Sequence, residues 1–148
     1  PGCSSRLHDL PPGISADRRL EGRRENKRIE FRKRFGISES ELVLLQVGSG
    51  FKIKGVDRSL AAIASLPSEL KARIRFILVG KDRPSSVLKI ARSLGVSDLL
   101  TIVPGSNDIP SFLAGADLMI HPAYQESAGH VLLESTVLPL VSWARRCV

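Results

Sequence analysis

A chain of 148 residues with 43% hydrophobic content is long enough for one domain with a substantial core. No apolar run approaches the ~20 residues of a membrane-spanning helix, and the first residues lack the apolar stretch of a signal peptide. Two cysteines, Cys3 and Cys147, make no disulfide framework and favour a reducing compartment such as the cytoplasm, while a net charge of +7 leaves anionic partners open.

The chain begins without Met, and "LPPGIS" at 10–15 reads as a rigid turn, so residues 1–22 are expected to be a linker from a preceding domain. Residues 18–34 concentrate the charge. Arg18, Arg19, Arg23, Arg24, Lys27, Arg28, Arg32, Lys33 and Arg34 stand against Glu21, Glu25 and Glu30, a surplus of six. This segment reads either as a solvated helix laced with charge pairs or as a surface for nucleic acid, anionic lipid or a phosphorylated ligand. No aromatic residues stand among the basic ones at base-stacking spacing, which counts against single-strand nucleic acid.

From there, apolar runs that end at glycine alternate with helical periodicity. A charged helix is predicted over 23–35, with Gly36 as its stop. Buried strands are predicted at 42–48 ("LVLLQVG"), 74–80 ("IRFILVG"), 99–105 ("LLTIVPG") and 117–122 ("DLMIHP"). Helices are predicted over 57–66, 85–95, 108–116 and 127–137. The alternation implies an α/β fold, a Rossmann-like parallel sheet with flanking helices and strand order 3-2-1-4. Ligands then bind where the order reverses, at the carboxyl ends of strands 1 and 4. The loops there are "SGFKIKG" (49–55) and "AYQESAG" (123–129).

In the second loop Ser127 can cap the following helix, and its first free amides suit a phosphate. Lys54 on the first loop can add a full positive charge to the same anion, with Lys52 as a weaker candidate. Glu126 and Glu134 lie eight positions apart, roughly 12 Å along a helix at ~1.5 Å per residue. That is wider than the roughly 5–9.5 Å of an acid/base carboxylate pair. The spacing fits two grips on an extended nucleotide-sugar, one carboxylate on the sugar and one on the ribose. It fits equally an acid at a helix start plus an unrelated surface Glu. His121 and His130 have no partners at zinc spacing. "GSGFKI" is no dinucleotide fingerprint, because Ile53 stands where the third glycine belongs. A hydrolase elbow and a phosphate-binding P-loop motif are both absent.

The pattern E-x₇-E from Glu126 to Glu134 resembles the signature of family 4 glycosyltransferases of the GT-B fold. More narrowly, "LPPGI", "LLQVGSGFKIKGVDRSL", "LVGKDRP", "GSNDI" and "ADLMIHPAYQESAGHVLLE" are similar to the lipopolysaccharide core glucosyltransferase I family, in order and at matching spacing over 10–134. The resemblance implies the C-terminal, donor-binding half of a GT-B fold at 23–139, truncated before its last strands. It implies retaining transfer of glucose from UDP-glucose to a lipid-linked inner-core saccharide, with no metal and no separate cofactor. It implies a cytoplasmic chain, with an anionic membrane surface as a further partner at the inner face of the bacterial inner membrane.

By the same resemblance Lys54 and Glu126 are the catalytic candidates. Lys54 would contact the diphosphate, Glu126 the donor sugar and Glu134 the ribose. The amides of Ala128, Gly129 and His130 would hold phosphate oxygens. Gly105, Ser106 and Asn107 would lie near the uracil. The family carries an arginine where Ile53 stands, so either Lys52 supplies the second charge or donor affinity falls. After Glu134 the text "STVLPLVSWARRCV" departs from the family, so 140–148 is expected to be a divergent tail and strand 4 an unpaired sheet edge. The isolated chain is then expected to be inactive alone. A basic nucleic-acid-binding module and an inert fragment are the alternatives.

Overall fold

The computed structural model describes residues 13–18, 20, 22–126, 129–136 and 141–144. Helix α1 (Arg24–Phe35) precedes strand β1 (Leu42–Val47). Then come α2 (Val56–Ala64), α3 (Ser68–Lys71), β2 (Ile74–Val79), α4 (Ser85–Ser93), β3 (Leu100–Val103), α5 (Ile109–Gly115), β4 (Leu118–His121), α6 (His130–Thr136) and β5 (Val141–Ala144). Short 3-10 turns at Ala16–Arg18 and Ser97–Leu99 have no counterpart in the sequence reading, and neither does α3.

The strands form one parallel sheet of order β3-β2-β1-β4-β5. β1 pairs with β2 from Leu42↔Ile74 to Val47↔Val79, and β2 with β3 from Phe76↔Leu100 to Val79↔Val103. β1 meets β4 at Leu44↔Leu118 and Leu45↔Met119. The side-chain period of two sends alternate residues to opposite faces. Val43, Leu45, Ile77, Val79 and Met119 pack with Phe31, Phe112 and Leu113 of α1 and α5. Phe76 and Leu78 pack with Leu60, Ile63, Val87 and Ala91 of α2 and α4. Both faces of the sheet are therefore covered, which is why its strands read as unbroken apolar runs.

α1 and α5 approach closely because Gly115 has no side chain. A Cβ there would lie 2.0 Å from the Phe31 ring. Phe31 stacks edge-on against Phe112, with centroids 5.4 Å apart.

One expectation is overturned at the sheet edge. β4 is not unpaired, because β5 lies beside it from Leu118↔Val141 to His121↔Ala144. The pairing falls inside the stretch expected to diverge. Val141 and Trp143 are strand-favouring residue types, and a parallel neighbour satisfies the outer backbone groups of β4.

The basic segment also differs from a plain solvated face. Arg32 is buried, with 2% of its side chain exposed. It reaches Asp117 Oδ2 at 3.3 Å and donates to the Ser38 and Glu41 carbonyls. Arg28 donates to Asp117 Oδ1 at 2.8 Å, and the Val43 amide to Asp117 Oδ2 at 2.7 Å. Burial raises the Asp117 pKa, but the Val43 amide and the two guanidiniums outweigh it and hold the carboxyl below its ordinary value. Two of the nine basic residues thus belong to the framework. Truncating Asp117 to Ala takes from the buried Arg32 its nearer carboxylate, leaving the exposed Glu39 at 3.6 Å, and is expected to cost about 3 kcal/mol. Urea unfolding measures the loss. Asp117→Asn, which keeps an acceptor for Val43, is expected to lose less.

Candidate functional site

The strand order reverses at β1, since β2 and β3 lie on one side and β4 and β5 on the other. The crevice at the carboxyl ends of β1 and β4 is therefore the switch point. Two loops line it, residues 48–55 after β1 and, after β4, residues 122–126 with Gly129.

The first loop is tied down at several points. Its Gly48 amide donates to the Val79 carbonyl at 2.9 Å. The Phe51 amide donates to Asp82 at 2.6 Å, and the Lys81 amide to Ser49 Oγ at 3.1 Å. Gln46, a polar residue 1% exposed in an apolar strand, donates from Nε2 to the Lys54 carbonyl at 2.7 Å. Its Oε1 is satisfied by Ser59 Oγ at 2.7 Å. A buried amide with both ends bonded fixes the backbone at Lys54 without leaving an unpaired polar group.

The two loops touch directly. Gly55 has φ +68° and sits against Pro122, where a Cβ would lie 2.2 Å from the carbonyl oxygen. Tyr124 donates its amide to the Ile53 carbonyl at 2.8 Å and its hydroxyl to Asp57 at 2.7 Å. The Arg58 guanidinium lies 3.5 Å from the centre of the Tyr124 ring, which suits a cation–π contact.

Glu126 is the meeting point. Lys54 Nζ and His121 Nε2 each lie 2.5 Å from Glu126 Oε2. The Gly129 amide donates to Oε1 at 3.2 Å. Partial burial raises the Glu126 pKa, but hydrogen bonds from Lys54, His121 and Gly129 outweigh it, and the pKa falls to about 2. The carboxylate is thus an anion at neutral pH, and His121 must donate to it. Beside it lies a cleft of about 220 Å³ lined by Val47, Lys54, His121, Gly129, His130 and Val131 among others.

The remaining candidates are placed as follows. Lys52 is exposed beyond the contact. His130 opens α6 and is exposed at the cleft. Ala128, and the expected cap Ser127, lie outside the described residues. The Gly129 amide, expected to hold phosphate, donates to Glu126 instead. Glu134 stands 3.6 Å from Arg18 and is not brought onto the Lys54–Glu126 contact. Gly105 lines a second cleft of about 560 Å³ between the β2 and β3 loops, together with Lys81, Asp82 and Arg83. Ser106 accepts from the Asp108 amide at 3.1 Å, and Asn107 is exposed. Among the described residues no cluster of three or more His, Cys, Asp or Glu can hold a metal ion. Nor is any described helix long and apolar enough to cross a membrane.

Gln46, Tyr124 and Asp82 escaped the sequence reading, which weighed His121 only as a zinc ligand. A lone Gln inside "LVLLQV" and a His closing "DLMIH" were the available signals, since a polar residue in a buried strand needs a partner.

A family model described as glycosyl transferases group 1 matches residues 27–141. The chain belongs to that family. Lipopolysaccharide glucosyltransferase WaaG of Escherichia coli is 45% identical over 141 residues, covering 94% of this chain and 38% of WaaG. The crystal structure of WaaG, a glycosyltransferase involved in lipopolysaccharide biosynthesis, matches with a TM-score of 0.89 at 44% identity, over 95% of this chain and 38% of that one. N-acetyl-alpha-D-glucosaminyl L-malate synthase of Bacillus anthracis is 32% identical over 108 residues, 72% of this chain and 28% of its own. This group 1 chain spans well under half the length of either relative. Its Rossmann-like sheet is that of the GT-B structure of WaaG.

The lowered Glu126 pKa has a consequence for stability. The folded value of about 2 lies below the ordinary 4.5, so the unfolded chain takes up this proton first as the pH falls. The stabilisation from ionised Glu126 is therefore present above about pH 4.5 and lost as the pH drops toward about 2. Urea unfolding from about pH 6 to about pH 2.5 is expected to show the gap between the unaltered chain and Glu126→Gln shrinking as the pH falls.

Proposed function

We propose that this chain is the donor-binding half of a lipopolysaccharide glucosyltransferase. It binds UDP-glucose for retaining transfer of glucose to a lipid-linked inner-core saccharide. One observation carries the reading. Lys54 and Glu126, from loops on opposite sides of the switch point, converge beside a cleft in a chain 45% identical to WaaG.

The division of labour follows from charge. Lys54 faces the diphosphate, the part of the donor that gains negative charge as UDP departs. A cation there stabilises the departing group more than the ground state. Glu126 accepts hydrogen bonds from the hydroxyls of the transferred glucose, and Glu134 from those of the ribose. The amides at the start of α6 add donors to the phosphates. The larger cleft beside Gly105 takes the uracil. Lys52 gives a second, looser cation where Ile53 cannot. No metal or separate cofactor enters this reading.

The acceptor-binding half lies in the part of WaaG-like proteins that this chain does not span, so catalysis needs that half as well. The complete protein works at the cytoplasmic face of the inner membrane, where its lipid-linked acceptor is presented. The exposed basic residues of α1 suit an anionic membrane surface there.

Calorimetric titration with UDP and UDP-glucose tests the reading. Saturable binding is expected, weakened roughly 10-fold or more by Lys54→Ala and by Glu134→Ala, about 1.4 kcal/mol each. Unchanged affinity in both variants removes the proposal.

A further inference from the structure

The apo site contains a conflict. Lys54, the cation proposed for the diphosphate, already spends its charge on Glu126 at 2.5 Å. A diphosphate entering the cleft must draw Lys54 toward itself. Glu126, with 26% of its side chain exposed, would then lose its strongest donor. A partly buried carboxylate resists that loss, because taking a charged donor away from it costs more than an ordinary hydrogen bond contributes.

His121 removes the conflict. It donates to the same Oε2 atom, also at 2.5 Å. Its side chain is 3% exposed and sits at the end of β4, a strand paired on both sides. The ring therefore stays where it is while the flexible lysine stem moves. Its Nδ1 is buried and has no partner among the described residues, so the ring proton belongs on Nε2, facing the carboxylate.

We propose that His121 is a positioning residue that keeps Glu126 satisfied and so releases Lys54 to the diphosphate of the donor. It acts through Glu126 and does not itself touch the phosphates. The inference rests on the reading of Lys54 as the diphosphate ligand.

The test is a double-mutant cycle read by calorimetric titration with UDP, on the 148-residue chain. His121→Leu removes the donor while keeping an apolar side chain at a buried site. His121→Gln keeps an N–H donor. His121→Leu is expected to weaken UDP binding about five- to tenfold, and His121→Gln to recover most of that. In a Lys54→Ala background there is no lysine to release, so adding His121→Leu is expected to change UDP affinity less than about twofold.

A general structural role for His121 would instead carry through both backgrounds. An equal loss with and without Lys54 overturns the proposal. So does unchanged UDP affinity in His121→Leu, or a His121→Gln chain that melts cooperatively but binds as weakly as His121→Leu. If the unaltered chain does not bind UDP, the functional reading fails first and the inference falls with it.

Discussion

The seam between β1 and β4 is where the chain turns back across its own sheet, and the fold and the site both depend on it. The register pairs two residues of each strand, Leu44 and Leu45 with Leu118 and Met119. So short a ladder is closed by side chains at its two ends. At the base, Asp117 takes the Val43 amide and two guanidiniums. At the top, Glu126 takes Lys54, His121 and the Gly129 amide. Both carboxylates sit below their ordinary pKa, for the same reason of converging donors. They differ in what surrounds them. Asp117 meets the buried Arg32 in a framework contact. Glu126 borders a cleft, so its partners can be exchanged for a ligand's.

That difference reshapes the meaning of the charge. A surplus of six positive charges in 18–34 reads from sequence as one basic surface. In the fold it divides. Arg28 and Arg32 turn inward to Asp117, and Arg18 reaches Glu134. Arg23, Lys33 and Arg34 stay exposed. The charge density offered to an anionic partner is therefore lower than the count suggests, and part of it fastens α1 to the sheet.

Much of the architecture was legible because parallel strands buried on both faces announce themselves as apolar runs closed by glycine. The four runs at β1 to β4 carry that signal, and the switch point follows from their order. Lys54 and Glu126 could be proposed as neighbours on that basis alone. What could not be read was pairing across long sequence distances. Asp117 lies 74 residues from the Val43 amide that it accepts, and nothing local to either announces the bond. β5 was hidden for a different reason. "VSWA" is too short and mixed to show the apolar run of a central strand, and its register comes from β4 rather than from its own pattern. His121 was judged on metal spacing, which asks for other ligands nearby. Its partner is a single carboxylate five residues on.

The two glutamates of the E-x₇-E pattern illustrate how far spacing carries an argument. Equal residue types at a helical interval suggest a symmetric grip. The structure gives them unequal surroundings. Glu126 is held by donors from three segments, at distances as short as 2.5 Å, so its oxygens are aimed before any ligand arrives. Among the described residues Glu134 makes a long ion pair, 3.6 Å from Arg18, with Glu134 18% and Arg18 33% exposed. A pair of that length is loose, and it can be exchanged for a hydroxyl more readily than the short contacts of Glu126. The first carboxylate is therefore preorganised and the second adaptable. For the donor site proposed above that order is physically sensible. On the proposed reading Glu126 meets the reacting sugar, which needs fixed geometry, and Glu134 the ribose, which needs only to be held.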